Sequence, residues 1–324
     1  MADIALKAGV SITTVSHVIN KTRHVSRETM DTVLAAIKEL NYQSAKVLRS
    51  RADKDIYVGV IVADVREDHF IAMIKAIETV AADFGVSIIF CDSEADPEKE
   101  EKNISILLER NVNGLLLAPI AADHIPRILR KVSIPVVLID RQYEEHNYLF
   151  VGINNFHSSY IGTKYLFDKG GTRLGFISYS SVIYTVKQRI LGYKAALMEY
   201  GEAAVPKVLS LSHNREDSSP MIKQFVKDEK LDGLVCGTST ICYEVINALE
   251  EFDKDIQNRL KIITFDDNRW MDHLKYPVSV IVQPVAEIGN AALENLLQMI
   301  EHINPIREVK RELLFDVSII DRIN

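Results

Sequence analysis

From residue 55 onward, apolar positions arrive in short unbroken runs separated by amphipathic stretches. IYVGVIVA (Ile56 to Ala63) is rich in β-branched residues without polar alternation, the pattern of a strand buried on both faces. VSIIFCD from Val86, GLLLAPI from Gly114 and IPVVLID from Ile134 repeat it. Between them, HFIAMIKAIETVAADFG and EKEEKNISILLERN carry apolar residues at helical spacing. This alternation predicts a parallel sheet with helices on both faces.

The rhythm then restarts. RLGFISYS from Arg173 resembles the first strand, and a helix is predicted from about Tyr184 to Tyr200. Asn113-Gly114-Leu115-Leu116-Leu117 is echoed by Asp232-Gly233-Leu234-Val235-Cys236, and IPVVLID, ending at Asp140, by LKIITFD, ending at Asp266. Two similar β/α halves explain the echoes. Ligands of open parallel sheets sit beyond the carboxyl ends of the strands, so two facing lobes would aim Asp140 and Asp266 into one cleft. SVIVQP (Ser279 to Pro284) and a helix from about Val285 to His302 then cross back to the first lobe, and KRELLFDVSII forms the last strand-like run.

Residues 3 to 40 follow a different pattern, three short helices. Asp3 is placed to cap the first, which runs to about Ala8; Gly9 suits the left-handed position that ends a helix; Ser11 caps the second. That helix, about Ile12 to Ile19, turns Val15 and Val18/Ile19 inward and leaves Thr13, Thr14, Ser16 and His17 outward. Ser26 caps a third helix with an apolar stripe of Met30, Val33, Leu34, Ile37 and Leu40. Helix, glycine turn and a second helix opening on small polar residues form the helix-turn-helix pattern, whose second helix enters the major groove.

Charge sharpens this division. Residues 1–54 hold five Lys and four Arg against three Asp and two Glu, a surplus of four, whereas the whole chain carries −7. A basic head on an acidic body points to a polyanion met by the head alone. At 324 residues and 47% hydrophobic, the chain has material for two or three domains. It holds no run of 18 apolar residues, and MADIALKAG lacks the basic start and apolar core of a secretory signal, so a cytoplasmic protein without membrane association is expected. Cys91, Cys236 and Cys242 lack C-x-x-C spacing and read as buried, reduced thiols. No G-x-G-x-x-G follows the first strand, and GGTRLG at 170–175 reads as a helix stop. Asp140 and Asp266 have the makings of an acid/base pair, but no nucleophile or metal set accompanies them. No enzyme, cofactor or metal is expected.

Asp3 to Tyr42 resembles the DNA-binding head of LacI/GalR-type transcriptional regulators. The family pattern D-V-A-x-x-A-G-V-S-x-x-T-V-S-x-V-x-N is matched at every fixed position except Ile4 for Val, and V-S-x-x-T and L-N-Y follow. The likeness continues through the body, where RILGY (189–193) resembles R-x-x-G-[YFW], TFDDN (264–268) resembles G-[YF]-D-[DN], and VIVQP resembles T-x-x-Q-P. The resemblance implies a small all-α helix-turn-helix head followed by α/β structure: two parallel-sheet lobes, like those of periplasmic sugar-binding proteins, with an effector cleft between them. The expected boundaries are a head at 1–42, a hinge at 43–54 and a body at 55–324. Lobe 1 takes about 55–153 plus 285–316, and lobe 2 about 154–284 plus 317–324.

By the same resemblance, Ile12, Thr13 and His17 face base edges, while Thr14, Ser16, Asn20, His24, Ser26 and Thr29 reach or flank phosphates. Hydroxyls, amides and helix amino ends suit phosphate contacts that set register without reading sequence. His17 departs from the arginine of many members; one imidazole nitrogen donates singly where arginine bonds guanine bidentately, so a different base or weaker discrimination is expected there. In the hinge, Ser44 replaces the family's proline and Arg51 stands where a minor-groove leucine is expected. Three readings stay open: Arg51 in a narrow A·T-rich minor groove, Leu48 as the wedge, or phosphate contacts alone through Lys46, Arg49 and Arg51.

Strand ends supply the effector candidates: Asp64, His69, Phe70, Asp140 and Arg141 from the first lobe, Arg189, Asp266 and Trp270 from the second. Carboxylates, an arginine and an aromatic face suit a polyol or sugar ring. Against this, Arg189 and Asp266 are able to pair with each other, His69 to line only the rim, and Trp270 to serve packing. Ser239 and Asn154 stand where the family often carries Asp. The expected function is a repressor, a homodimer on a near-palindromic operator in double-stranded DNA, controlled by a small sugar-like ligand; whether a protein co-repressor takes part stays open. The alternative, a solute-binding protein of a transporter, explains 55–324 equally well but demands an export signal and leaves the head without purpose.

Overall fold

The computed structural model describes residues 2–20, 25–39, 55–121, 123, 125–179, 183–200, 205–212, 218–301 and 312–323. The hinge with Leu48 and Arg51, and also His24, lies outside the described residues.

The head contains α1 (Ala2–Ala8), α2 (Ile12–Asn20) and α3 (Arg27–Glu39). Asp3 lies inside α1 rather than before it. Gly9 ends α1 with φ 67°, and the Val10 amide reaches back to the Ala5 carbonyl at 3.0 Å, closing the left-handed helix stop expected there. Ser11 Oγ accepts the Thr14 amide at 3.0 Å, and Ser26 Oγ accepts that of Thr29 at 3.2 Å, so both serines cap their helices. Ile4, Ala5, Val15, Val18, Val33 and Ala36 form the head's small core. Met30, expected in the α3 stripe, is 39% exposed, and Ala36 takes a core place instead.

The body begins with β1 (Ile56–Val62), α4 (Asp68–Phe84), β2 (Val86–Asp92), α5 (Pro97–Glu109), β3 (Gly114–Leu117), β4 (Val136–Ile139) and β5 (Leu149–Ile153). The second half runs α6 (Asn155–Asp168), β6 (Leu174–Ser178), α7 (Tyr184–Glu199), β7 (Lys207–Ser210), α8 (Ser219–Asp228), β8 (Gly233–Cys236), α9 (Ser239–Leu249), α10 (Lys254–Arg259), β9 (Lys261–Phe265) and β10 (Val278–Val282). Then come α11 (Val285–Glu301), β11 (Glu312–Phe315) and β12 (Ser318–Ile320).

Two six-stranded sheets result, ordered β11-β5-β4-β3-β1-β2 and β12-β10-β9-β8-β6-β7. Their orders correspond strand for strand, as the internal echo predicts. The central strands β3, β4, β8 and most of β1 and β9 are buried, which explains their unbroken apolar runs. The chain crosses between sheets three times, through α6, through α11, and at Asp316-Val317. KRELLFDVSII is therefore two strands rather than one: β11 pairs parallel with β5, and β12 antiparallel with β10. All three cysteines are free thiols; Cys236 and Cys242 are buried as expected, but Cys91, near the end of the edge strand β2, is only half-buried.

Helices α6 and α7 pack unusually closely. A Cβ added at Gly192 would lie 2.0 Å from the Phe156 carbonyl oxygen and 3.0 Å from the Tyr160 nitrogen. Only glycine permits this approach, and it sets α7, with Arg189 one turn earlier, against the start of α6.

Candidate DNA-reading head and interlobe cleft

In the head, the Ser11 hydroxyl is within 2.8 Å of the hydroxyls of both Thr13 and Thr14, and the Ser26 hydroxyl is 2.7 Å from that of Thr29. Two helix amino ends thus carry bonded clusters of neutral hydroxyls. Thr13 is exposed, and Thr14, His17 and Thr29 are partly so. Ile12 packs partly against the head core, which limits the side-chain surface it can offer. Ser16 and Asn20 are on α2.

In the body, β1, β4, β6, β8 and β9 end at one cleft. Asp140 follows β4 and Asp266 follows β9, and His69, from the first turn of α4, stands between them. Its Nε2 is 3.6 Å from Asp140 Oδ2 and its Nδ1 is 3.7 Å from Asp266 Oδ2. A third carboxylate, Glu67, lies 4.0 Å from Nδ1. These separations exceed hydrogen-bonding distance, and both ring nitrogens, Glu67 Oε2, Asp266 Oδ2 and Arg141 Nε are buried without a hydrogen-bond partner. The contacts are charge contacts.

Burial alone would push the His69 pKa down, but the charges of Asp140 and Asp266 outweigh it and raise it to about 9. Burial pushes Asp140 up, and His69 with Arg141 and Arg189 more than reverses that, leaving it below the ordinary carboxylate range. Glu67 is raised, because burial exceeds the help it receives from His69 and Arg141.

Arg189 does not pair directly with Asp266. Its Nε donates to Asn155 Oδ1 at 2.8 Å, its Nη1 donates to the Gly237 carbonyl at 2.7 Å, and its guanidinium lies 3.7 Å from the centre of the Phe265 ring. Asp266 Oδ1 instead accepts from Gln283 Nε2 at 2.7 Å. Arg141 sits 3.6 Å from Asp140 and 5.6 Å from the Phe70 ring centre. The cavity enclosed here is about 20 Å³ and is bordered by Glu67, His69, Asp140, Arg141, Arg189 and Thr238, among others. That is room for about one water molecule, far below a sugar's volume.

The cleft therefore gathers His69, Asp140, Arg141, Arg189 and Asp266 from the sequence candidates. It does not gather all of them. Asp64 is held by Arg66, whose Nε donates to Oδ1 at 2.8 Å. Phe70 is fully buried against His69, with ring centres 4.2 Å apart. Trp270 packs on the second-lobe core, edge-on to Tyr243 at 5.7 Å. Glu67, Asn155 and Gln283 were not legible as site residues; only Gln283 stood in a quoted motif. Asn154 caps α6, accepting the His157 amide at 2.9 Å, so the neighbouring Asn155 meets Arg189.

Comparison with known proteins places both parts. Residues 1–44 match the family described as bacterial regulatory proteins, lacI family, and residues 58–303 match the periplasmic binding protein domain. The HTH-type transcriptional repressor PurR of Mannheimia succiniciproducens is 30% identical over 96% of this chain and 94% of its own. The Cra transcriptional dual regulator of Pseudomonas putida, solved with fructose 1-phosphate, superposes with a TM-score of 0.72 at 21% identity over 83% of this chain and 99% of its own. The lac repressor dimer bound to operator and the anti-inducer ONPF superposes with 0.69 at 19% identity, over 99% of this chain and 97% of the other. Among the described residues no helix is long and apolar enough to cross a membrane.

Proposed function

The chain belongs to the lacI family of bacterial regulatory proteins, a DNA-binding transcriptional regulator with a ligand-binding sensor domain, and from that premise we propose a repressor whose operator affinity is set in the interlobe cleft. The head comprises residues 1–42, the hinge 43–54 and the sensor 55–324. Two copies bind a near-palindromic operator in the cytoplasm, without enzymatic activity.

Ile12, Thr13 and His17 read base edges, and the capped hydroxyl clusters around Thr14 and Thr29 seat the helix ends on phosphates. The observation that carries this reading is the pair of serine caps, which gather neutral hydroxyls at the amino ends of α2 and α3. In the sensor, a small polyhydroxylated ligand engages Asp140, Arg141, Arg189 and Asp266 after the lobes part. Ligand and DNA then act on one equilibrium, because a ligand shifts the regulator only by its difference in affinity between two states. A transporter role gains nothing from the head.

Selection of bound fragments from genomic DNA, followed by operator release in the presence of sugars, tests the proposal. Enrichment of related near-palindromes and release by one sugar class are expected. Enrichment without release by any small molecule would leave a constitutive DNA-binding protein and refute the sensor role.

A further inference from the structure

The cleft places two carboxylates of opposite lobes around one point, and the chain itself fills that point with a cation. Asp140 of the first lobe and Asp266 of the second each approach His69 to within 3.7 Å, and Glu67 closes a third side at 4.0 Å. Like charges brought together across a low-dielectric cleft repel, so the closed arrangement requires positive charge between them. Among the described residues the other cations of the cleft are two arginines: Arg189 is hydrogen-bonded to Asn155 and Gly237 and lies against the Phe265 ring, whereas Arg141 sits 3.6 Å from Asp140 beside the Phe70 ring with its Nε unpartnered.

We propose that the space between Asp140 and Asp266 is a subsite for a compact organic cation, occupied by the His69 imidazolium in the ligand-free chain and by an amine-bearing group of the effector when ligand binds. The inference rests on the cleft being the effector site. His69 stands between the two aspartates and lines a cavity of only about 20 Å³, so a ligand group seated at that point takes its place, and the exchange withdraws the charge that lets the two aspartates face each other. A protonated amine restores that charge, and the unpartnered Asp266 Oδ2 and Glu67 Oε2 stand ready to accept its N–H groups. At the point between Asp140 and Asp266, a phosphorylated or carboxylated group would add negative charge beside three carboxylates. The effector class that follows is an amino sugar or a similar amine-bearing polyol.

The test is chemical rescue of the full-length His69→Ala variant. This variant should melt lower than the parent, and imidazole at pH 6.5 should restore most of the difference. Pyrazole, an isostere neutral at that pH, should not, nor should acetate. In His69→Ala/Asp266→Asn the preference for imidazole over pyrazole should vanish. Equal rescue by imidazole and pyrazole, or none by imidazole, overturns the subsite. A second measurement needs no variant: histidine ¹⁵N spectra of the parent should show His69 as imidazolium at pH 8, and a neutral ring there overturns it as well. Operator affinity separates the two readings. Thermal rescue with unchanged operator affinity would keep the subsite and refute control through the cleft. Release by neutral sugars without imidazole rescue would keep the control and refute the subsite.

Discussion

Asp140 and Asp266 occupy equivalent places in the two lobes and share an uncommon backbone. Each directly follows its strand, each has a left-handed φ (60° and 68°), and each donates its amide to the adjoining strand, to Val151 and Ile281, at 3.1 Å. Aspartate and asparagine tolerate this conformation better than other residues with a Cβ. The turn aims both carboxylates out of the strand ends and into the cleft.

Asp266→Asn and Asp266→Ala should therefore differ although both remove the charge. Asparagine keeps the turn and still accepts from Gln283, whereas alanine adds about 1–2 kcal/mol of left-handed strain and leaves the buried Gln283 amide unpaired. Urea unfolding should find Asp266→Ala less stable than Asp266→Asn by roughly 2 kcal/mol or more.

Stability should carry a His69 signature on the alkaline side. The imidazole pKa is raised from 6.5 to about 9 in the folded chain, so its contribution is fully present below 6.5 and is lost as pH rises through 9. Glu67, Asp140, Asp266, Arg141 and Arg189 face it, and Asp140, held below the ordinary carboxylate range by His69 and the two arginines, keeps its charge across that window. The difference in unfolding free energy between the parent and His69→Gln should shrink by on the order of 3 kcal/mol between pH 6 and pH 10.

Gly192→Ala tests the close α6–α7 contact. Its Cβ would overlap the Phe156 carbonyl oxygen at 2.0 Å, and backbone cannot yield as a side chain does. A loss of about 3 kcal/mol or more is expected by chemical denaturation, or failure to accumulate as folded protein.

In the head, Ser11→Ala removes the acceptor of the Thr14 amide and the partner of two threonine hydroxyls. It should lower head stability by about 1 kcal/mol and weaken operator binding nearly equally across sequences, since it disturbs docking rather than base reading. His17→Arg should instead re-rank half-site variants in a binding selection; an unchanged ranking would remove His17 from the base-reading set.

Much of this was legible in the chain because it is local or repeated. Unbroken β-branched runs mark buried strands, Gly9 and the two serines punctuate the head, and the IPVVLID/LKIITFD echo marks the aspartates. What was not legible depends on the two lobes meeting. His69 looks like a rim residue from its own segment and becomes central only when Asp266 arrives from nearly two hundred positions away. Trp270 illustrates the converse: an aromatic near a site motif is drawn into the lobe core by its apolar area. Met30 likewise fits the α3 stripe by spacing, yet the smaller Ala36 is what the close-packed head buries.

The most direct measurement of the central claim is operator binding by the full-length chain, assayed on selected duplexes with and without added ligand. Near-palindromic sites should be enriched, Thr13→Ala/His17→Ala should lose that enrichment, and affinity should change when the cleft of the parent is occupied. Binding that is indifferent to sequence and unaffected by those head substitutions would contradict that claim.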